Sequence, residues 1–465
     1  MSGPGPNAER SAHFRRSFRR SYPVAVRGQG VYLWDADGRR YLDLSGSAAV
    51  SMIGHGDAEV TRAIAEQAAA LEFVHSSQFT TTAAEQFASE LLEFAGPGFR
   101  GGAVYFTSGG SEAIESALKL ARQYQVEIGQ PARFRMLSRG QSYHGSTLGA
   151  MQVSGNRRRR DLYLPMMREQ ADFEHVSLPY CYRCQYGCQD CARRYAAEVE
   201  QALVAAGEEA AAFILEPVSG ATLGAAVPPD GYLQQVTAAC ANAGALLIAD
   251  EVMTGCGRTG RNFAVEHWSV TPDLLVLGKG LSSGYTPLGA VVATRRVVDA
   301  IANGTGAFVH GFTYNAHPVS VAGGRAALAR LRALELVRAA DSTREGTAGS
   351  ALRSALQKLR ALSAVGEVRG LGLLWGVEFV ADPTSKAPFP PERGFAFQVS
   401  EAAARRGLLV YPMQGCVDGD RGDHLLLAPP AVITPEEVIW AVEQLAAAIE
   451  EAAGHEAGKP AGGPS

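Results

Sequence analysis

Three short apolar runs each stop abruptly at a charged residue. Ala211-Ala212-Phe213-Ile214-Leu215 ends at Glu216, and Ala245-Leu246-Leu247-Ile248-Ala249 ends at Asp250. Leu274-Leu275-Val276-Leu277 ends, one glycine later, at Lys279. Such runs, bounded by turn residues, read as strands buried on both faces, as in a parallel sheet. Ligands of open α/β sheets sit beyond the carboxyl ends of the strands. One edge would therefore gather two carboxylates and an amine. A lysine held there is partly desolvated, which lowers its pKa and makes its amine a nucleophile toward carbonyls. Taken singly, each residue has a plainer reading: Asp250 caps a turn, and Glu216 and Lys279 are solvated. Their coincidence carries the argument.

A fourth strand supplies an anion site. Ala103-Val104-Tyr105-Phe106 runs into Thr107-Ser108-Gly109-Gly110-Ser111-Glu112, and the spacing predicts a helix from Ala113 to Arg122. Free backbone N–H groups and the helix dipole favour an anion there, and Ser111 adds a hydroxyl. The Gly-Lys-Ser/Thr of a nucleotide P-loop is missing. A tight turn with Ser111 as helix cap is the alternative. Phe134–Leu137 is a further strand, followed by Ser142-Tyr143-His144-Gly145. An aromatic at a strand end either stacks on a flat ligand or packs. Arg157–Arg160, four consecutive arginines, read as a solvated loop, with an anion patch as the alternative.

The remainder bounds the class. A chain of 465 residues implies more than one structural unit. A net charge of −4 gives no electrostatic reason to expect nucleic acid or an acidic membrane surface, and no run of apolar residues is long enough to span a bilayer. Seven cysteines in so long a chain point to reduced thiols and a cytoplasmic location. Cys181, Cys184, Cys188 and Cys191 are spaced C-x2-C-x3-C-x2-C. The short central gap favours thiols in a loop, with a structural zinc as the alternative and no catalytic metal. Val31–Leu44 reads as a hairpin around Asp37-Gly38. After Pro318 come an alanine-rich helix to Leu336 and a second from Asp341 to Arg360. Strands at 374–379, 408–411 and 425–427 and a final helix Pro435–Ala452 behind Thr434 complete a smaller α+β unit.

Phe106–Ala113, Tyr143-His144-Gly145, Glu216-Pro217-Val218, Asp250–Gly255, Gly278-Lys279-Gly280 and Gly311-Phe312-Thr313-Tyr314 follow one another as in the class III aminotransferases. The chain resembles the ω-amino-acid and amine transaminases of that family, over roughly Tyr32 to Ala446. The resemblance implies the aspartate aminotransferase-like fold (fold type I, α/β). That fold has a mostly parallel sheet in a large domain and a smaller α+β domain. It divides the chain into an arm (1–22), an N-terminal segment joining the small domain (23–70), the large cofactor domain (71–317), the small domain (318–453) and a disordered tail (454–465). The implied cofactor is pyridoxal 5′-phosphate. By the same resemblance Lys279 carries it covalently and shuttles a proton, and Asp250 pairs with its ring nitrogen. Gly110 and Ser111 hold its phosphate, Tyr143 and Val252 cover its two faces, and His144 and Glu216 lie beside it. Thr313 reaches the phosphate in the neighbouring subunit, which implies a homodimer with shared sites. The implied activity is ping-pong amino transfer between an amine or ω-amino substrate, or a biosynthetic ketone or aldehyde, and a keto acid or amino acid. Aminomutase, epimerase or decarboxylating transaminase chemistry on the same scaffold is the alternative.

Departures from the family pattern bear on substrate. Leu426 stands where many relatives that bind an α-carboxylate have an arginine, and leucine cannot make that bidentate contact. Arg421, on the preceding loop, is the expected substitute. Cys256 replaces a common aromatic, and Ala48, Ala49 and Ser51 are small where the family's pocket is bordered, which suggests a roomy site.

Overall fold

The computed structural model describes residues 12–18, 20–167, 173–187 and 189–454. Residues 1–11 of the expected arm and 455–465 of the expected tail lie outside the described residues. The chain opens with β1 (Ala25–Gln29), β2 (Tyr32–Asp35) and β3 (Arg40–Asp43). The β2–β3 hairpin is the expected one, with Gly38 at φ 78°, where a side chain would be strained.

The central sheet has seven strands: β4 (Ala103–Thr107), β5 (Arg135–Arg139), β6 (Phe173–Val176), β7 (Ala210–Leu215), β8 (Leu246–Asp250), β9 (Leu274–Leu277) and β10 (Gly289–Ala293). Their order is β4-β10-β9-β8-β7-β5-β6. The strands from β5 to β9 are mutually parallel, and β10 is antiparallel to both β9 and β4. So β4 runs the same way as β9, and five motif-bearing strands end on one edge.

The apolar runs are continuous because both faces are covered. Leu274 and Val276 pack on one side with Leu246, Ile248 and the helix Gly110–Glu127. Leu275 and Leu277 pack on the other with Leu247, Ala249 and the helices Cys191–Ala206 and Tyr232–Ala243. Period-two alternation thus sends every strand side chain into one of two apolar layers. By parity Asp250 continues the row of Leu246 and Ile248, toward the helix that follows the anion loop.

A third sheet comprises β11 (Val365–Leu371), β12 (Leu374–Phe379), β14 (Tyr411–Gln414) and β15 (Asp423–Leu427). The stretch 408–411, expected as one strand, divides. Its first half, β13 (Leu408–Leu409), pairs in parallel with β3, while Tyr411 begins β14. The helix expected from Asp341 to Arg360 also shortens, to Ala348–Gln357. Gly346 at φ 75° breaks the start, and Thr347 caps by accepting from Ser350 N at 3.1 Å. Strands β1, β6, β10 and β11 have no counterpart among the sequence expectations. The last helix, Pro435–Gly454, begins in a capping box between Thr434 and Glu437. Among the described residues, no helix is long and apolar enough to cross a membrane.

Candidate active site

Five of the candidate residues are partly open positions beyond buried strands, whereas His144, Glu216 and Asp250 are buried. β7, β8, β9 and β10 are buried throughout, whereas Gly110, Ser111, Tyr143, Val252 and Lys279 are half-exposed. The loops after adjacent strands touch. A Cβ built on Gly110 would come within 3.0 Å of Val252 Cγ1, and one on Gly278 within 3.2 Å of the same atom and 3.5 Å of Gly110 Cα. A side chain at either glycine would crowd Val252, so the lysine loop lies against the anion loop with Val252 wedged between them.

The helix Gly110–Glu127 starts at Gly109 without a side-chain cap. Ser111 Oγ accepts from Ser146 N at 3.1 Å instead of capping the helix. The first-turn N–H groups therefore lack side-chain acceptors, and the space beside Gly109 is open. Orphan donors at the positive end of an eighteen-residue helix fit a phosphate.

Asp250 is held by two bonds. His144 Nδ1 lies 2.7 Å from its Oδ2, and Val252 N donates to its Oδ1 at 3.0 Å. His144 is itself fixed, its backbone N–H donating to Ser154 Oγ at 2.8 Å. The other ring nitrogen, Nε2, is buried without a hydrogen-bond partner. Glu216 accepts from Gly220 N at 2.9 Å and Tyr143 N at 3.3 Å, which ties the β5 loop to the β7 loop. Burial pushes its carboxyl above the usual range, against the opposing pull of His144. The Tyr143 hydroxyl meets Ser146 Oγ at 2.8 Å.

Lys279 has φ 41°, a left-handed conformation that a non-glycine residue adopts at a cost of about 1–3 kcal/mol. Burial lowers its amine to about 8, although Asp250 and Glu216 pull the other way. Burial disfavours the ammonium more than the two carboxylates favour it. Beneath the loop lies Cys256, 3.2 Å from a Cβ built on Gly280, its thiol pushed up to about 12 by burial and so unreactive.

The segment Gly46–Ala49 forms a left-handed turn, with φ of 55°, 50°, 66° and 62°. Buried Asp43 secures it, accepting from Ser45 Oγ at 2.6 Å and Ser47 Oγ at 2.9 Å. Ser283, beyond Lys279, accepts from Met52 N at 2.7 Å and Ile53 N at 2.9 Å. Arg258 donates to the carbonyls of Ser51, Ala428 and Pro429 at 2.5–2.9 Å. The N-terminal segment is thereby sewn to the lysine loop and to the end of β15. Of the three small residues expected to open the site, Ala49 and Ser51 are buried and only Ala48 is half-exposed.

Thr313 lies in the exposed stretch between the helices Arg295–Asn303 and Pro318–Ala333. It makes no hydrogen bond to the other candidates within this chain. Leu426 is buried in β15, opposite Gly376 and Tyr411. Arg421 is exposed and bonded to Asp418 in its own turn at 2.6 Å. Arg157–Arg160 form one helical turn, not a solvated loop, with Arg159 and Arg160 half-buried. Ser146 and Ser154 join the site without having been singled out. Ser146, three residues from Tyr143, was the legible one.

Cys188 lies outside the described residues. Among those described, no group of three or more metal-ligating side chains is assembled. The cysteine segment is anchored by buried Glu378, which accepts from Arg183 Nε at 2.7 Å, from Arg369 at 2.8 Å and from the Tyr180 hydroxyl.

The family model for class III aminotransferases matches residues 16–449, and the chain belongs to that family. It is a pyridoxal-phosphate-dependent enzyme of amino-group transfer, with the fold that the family implies. It is 39% identical to the uncharacterized aminotransferase YodT of Bacillus subtilis, over 93% of this chain and 96% of that protein. It is 32% identical to a probable mitochondrial γ-aminobutyrate transaminase 3 of Oryza sativa, over 90% of this chain and 80% of that one. Among solved structures it resembles an (S)-enantioselective ω-transaminase from Thermomicrobium roseum, with a TM-score of 0.85 and 37% identity over 93% and 94% of the two chains. The ω-transaminase of Pseudomonas jessenii, solved in complex with PMP, aligns at a TM-score of 0.85 and 31% identity, over 93% of each chain.

Proposed function

We propose that this aminotransferase moves nitrogen between an amine or ω-amino donor and a keto acid, with Lys279 as its catalytic residue. The observation that carries the donor assignment is Leu426, buried where a carboxylate clamp would stand, with Arg421 committed to Asp418. No cation on β15 then fixes an acid group beside the transferred nitrogen, so the donor's carboxylate is distant or absent.

Bound pyridoxal phosphate supplies the carbonyl that takes up nitrogen and a ring that withdraws electrons from the adjacent carbon. The uncapped helix at Gly110–Ser111 holds the phosphate through backbone N–H groups. Val252, already against Gly110, packs one face of the ring, and Tyr143 covers the other. Asp250 keeps the ring nitrogen protonated, and His144 orients that carboxylate through its 2.7 Å bond. Glu216, fixed by Gly220 and Tyr143 backbone donors, closes the ring's phenolic side.

Lys279 takes a proton from the substrate carbon and returns it on the cofactor side. At pH 7 an amine with pKa about 8 is roughly one-tenth neutral, against roughly 0.03% at an ordinary 10.5. Burial at the strand end thus enlarges the share of free base. Thr313 completes the site of a second subunit in a homodimer. Val309 and Tyr314 in the same stretch, 79% and 57% exposed, give that contact an apolar surface. The thiol content supports a cytoplasmic setting.

A half-reaction screen tests the donor assignment. The cofactor-loaded enzyme is mixed with α-amino acids, ω-amino acids and simple amines, and its absorbance is followed. Rapid conversion by ω-amino acids or amines is expected. Conversion confined to α-amino acids and abolished by Arg421→Ala would overturn it.

A further inference from the structure

We infer that Arg159 binds the carboxylate of the keto acid, and of the amino acid formed from it, in the second half-reaction. The inference rests on the donor and acceptor assignment above. Gly155 pins this part of the chain to the end of β5. A Cβ there would stand 2.3 Å from Arg139 O and 2.6 Å from Gly140 Cα, so the backbones lie flush. Gly155 N and Asn156 N bond to Ser142 at 3.0 Å and 3.1 Å. The turn Arg157–Arg160 therefore begins directly beside Tyr143, and the Arg159 guanidinium stacks on the Tyr143 ring, 4.4 Å from its centroid.

The neighbouring arginines have other tasks. Arg157 faces Asp161 at 3.7 Å, Arg158 donates to Gln414 at 3.2 Å, and Arg160 stands 3.5 Å from His175. Nearer the lysine, Arg258 is bonded to three carbonyls, and Arg139 to the carbonyl of Glu216. Among the described residues Arg159 has no carboxylate and no side-chain hydrogen bond. A half-buried cation loses hydration, and an aromatic face restores only part of it. Its positive field also reaches Lys279, contributing to the lowered amine. A small molecule whose reacting carbon lies at Lys279 can therefore present an acid group to Arg159. The planar fork of donors, held over Tyr143, matches a carboxylate in bidentate fashion. The group comes from the β5 side of the cleft, away from β15, where Leu426 is buried and carries no charge.

The test compares pyruvate with butanal, an acceptor lacking the carboxylate, with one amine donor, in wild type, Arg159→Ala and Arg159→Lys. Charge-assisted hydrogen bonds of this kind correspond to losses of about 10- to 150-fold. The ratio of kcat/KM for pyruvate to that for butanal should fall by about that factor in Arg159→Ala, mainly through KM for pyruvate. Arg159→Lys, keeping the charge without the fork, should recover part of it. Propionate should inhibit the wild-type butanal reaction more strongly than propionamide does, and this preference should vanish in Arg159→Ala. An unchanged ratio, or propionate inhibition that persists, would overturn the assignment. Refusal of pyruvate by the wild type with every amine would instead overturn the keto-acid assignment on which it rests.

Discussion

Replacing Asp250 by asparagine isolates a single charge. Asparagine keeps an oxygen for the Val252 N–H now at 3.0 Å, and its volume is nearly the same. The contact at 2.7 Å to His144 Nδ1 becomes N–H facing a ring nitrogen, so the imidazole must move its proton to Nε2. That atom is buried without a partner, and the mismatch costs about 1–2 kcal/mol of stability. The variant should therefore fold and retain the cofactor, melting a few degrees lower. The chemistry should suffer far more. A carboxylate and a protonated ring nitrogen about 3 Å apart attract by about 5 kcal/mol at an effective dielectric constant of about 20. Only the share that differs between bound substrate and transition state counts, and half of it is about 10²-fold in rate. Single-turnover absorbance changes with a reactive amine measure this directly, with bound cofactor quantified in the same sample. Turnover within threefold of wild type, at equal cofactor content, would refute the role given to Asp250.

Lys279→Ala should fold but fail to retain cofactor after borohydride reduction, and peptide mapping of the wild type should find the label at residue 279 and at no other lysine. In cofactor-free protein the rate of covalent reconstitution should climb with pH as the amine loses its proton, then flatten above about 8; a rate still rising tenfold per unit at pH 9.5 would show an ordinary lysine. Glu378→Gln leaves Arg183 and Arg369 facing each other without their shared charge, and should destabilise the fold by about 3 kcal/mol, read as a lower thermal midpoint. Ala48→Val places a β-branched side chain at φ 66° and should cost about 1–2 kcal/mol, with an unchanged melting point counting against the left-handed turn.

The central sheet was legible because burial on both faces writes itself into continuous apolar runs. Their abrupt ends at Glu216, Asp250 and Lys279 mark the carboxyl edge of the sheet, the edge on which ligands of open α/β sheets sit. The anion loop was legible for a similar reason, since glycine, serine and the start of a helix are local chemistry. Local pattern is silent about partners distant in sequence. Nothing in the run 408–411 says that Leu408 and Leu409 join β3 while Tyr411 begins a strand against β15. Nothing in four consecutive arginines says that one stacks on Tyr143 while its neighbours face Asp161, Gln414 and His175. The His144–Asp250 bond spans 106 residues, and the contact of Gly110 with Gly278 spans still more. The sequence by itself determined which residue types stand at strand ends, because burial period and turn chemistry are properties of short windows. Tertiary structure alone decided which cations were already neutralised and which stayed open to a substrate, because that depends on groups brought together only when the sheets and loops close.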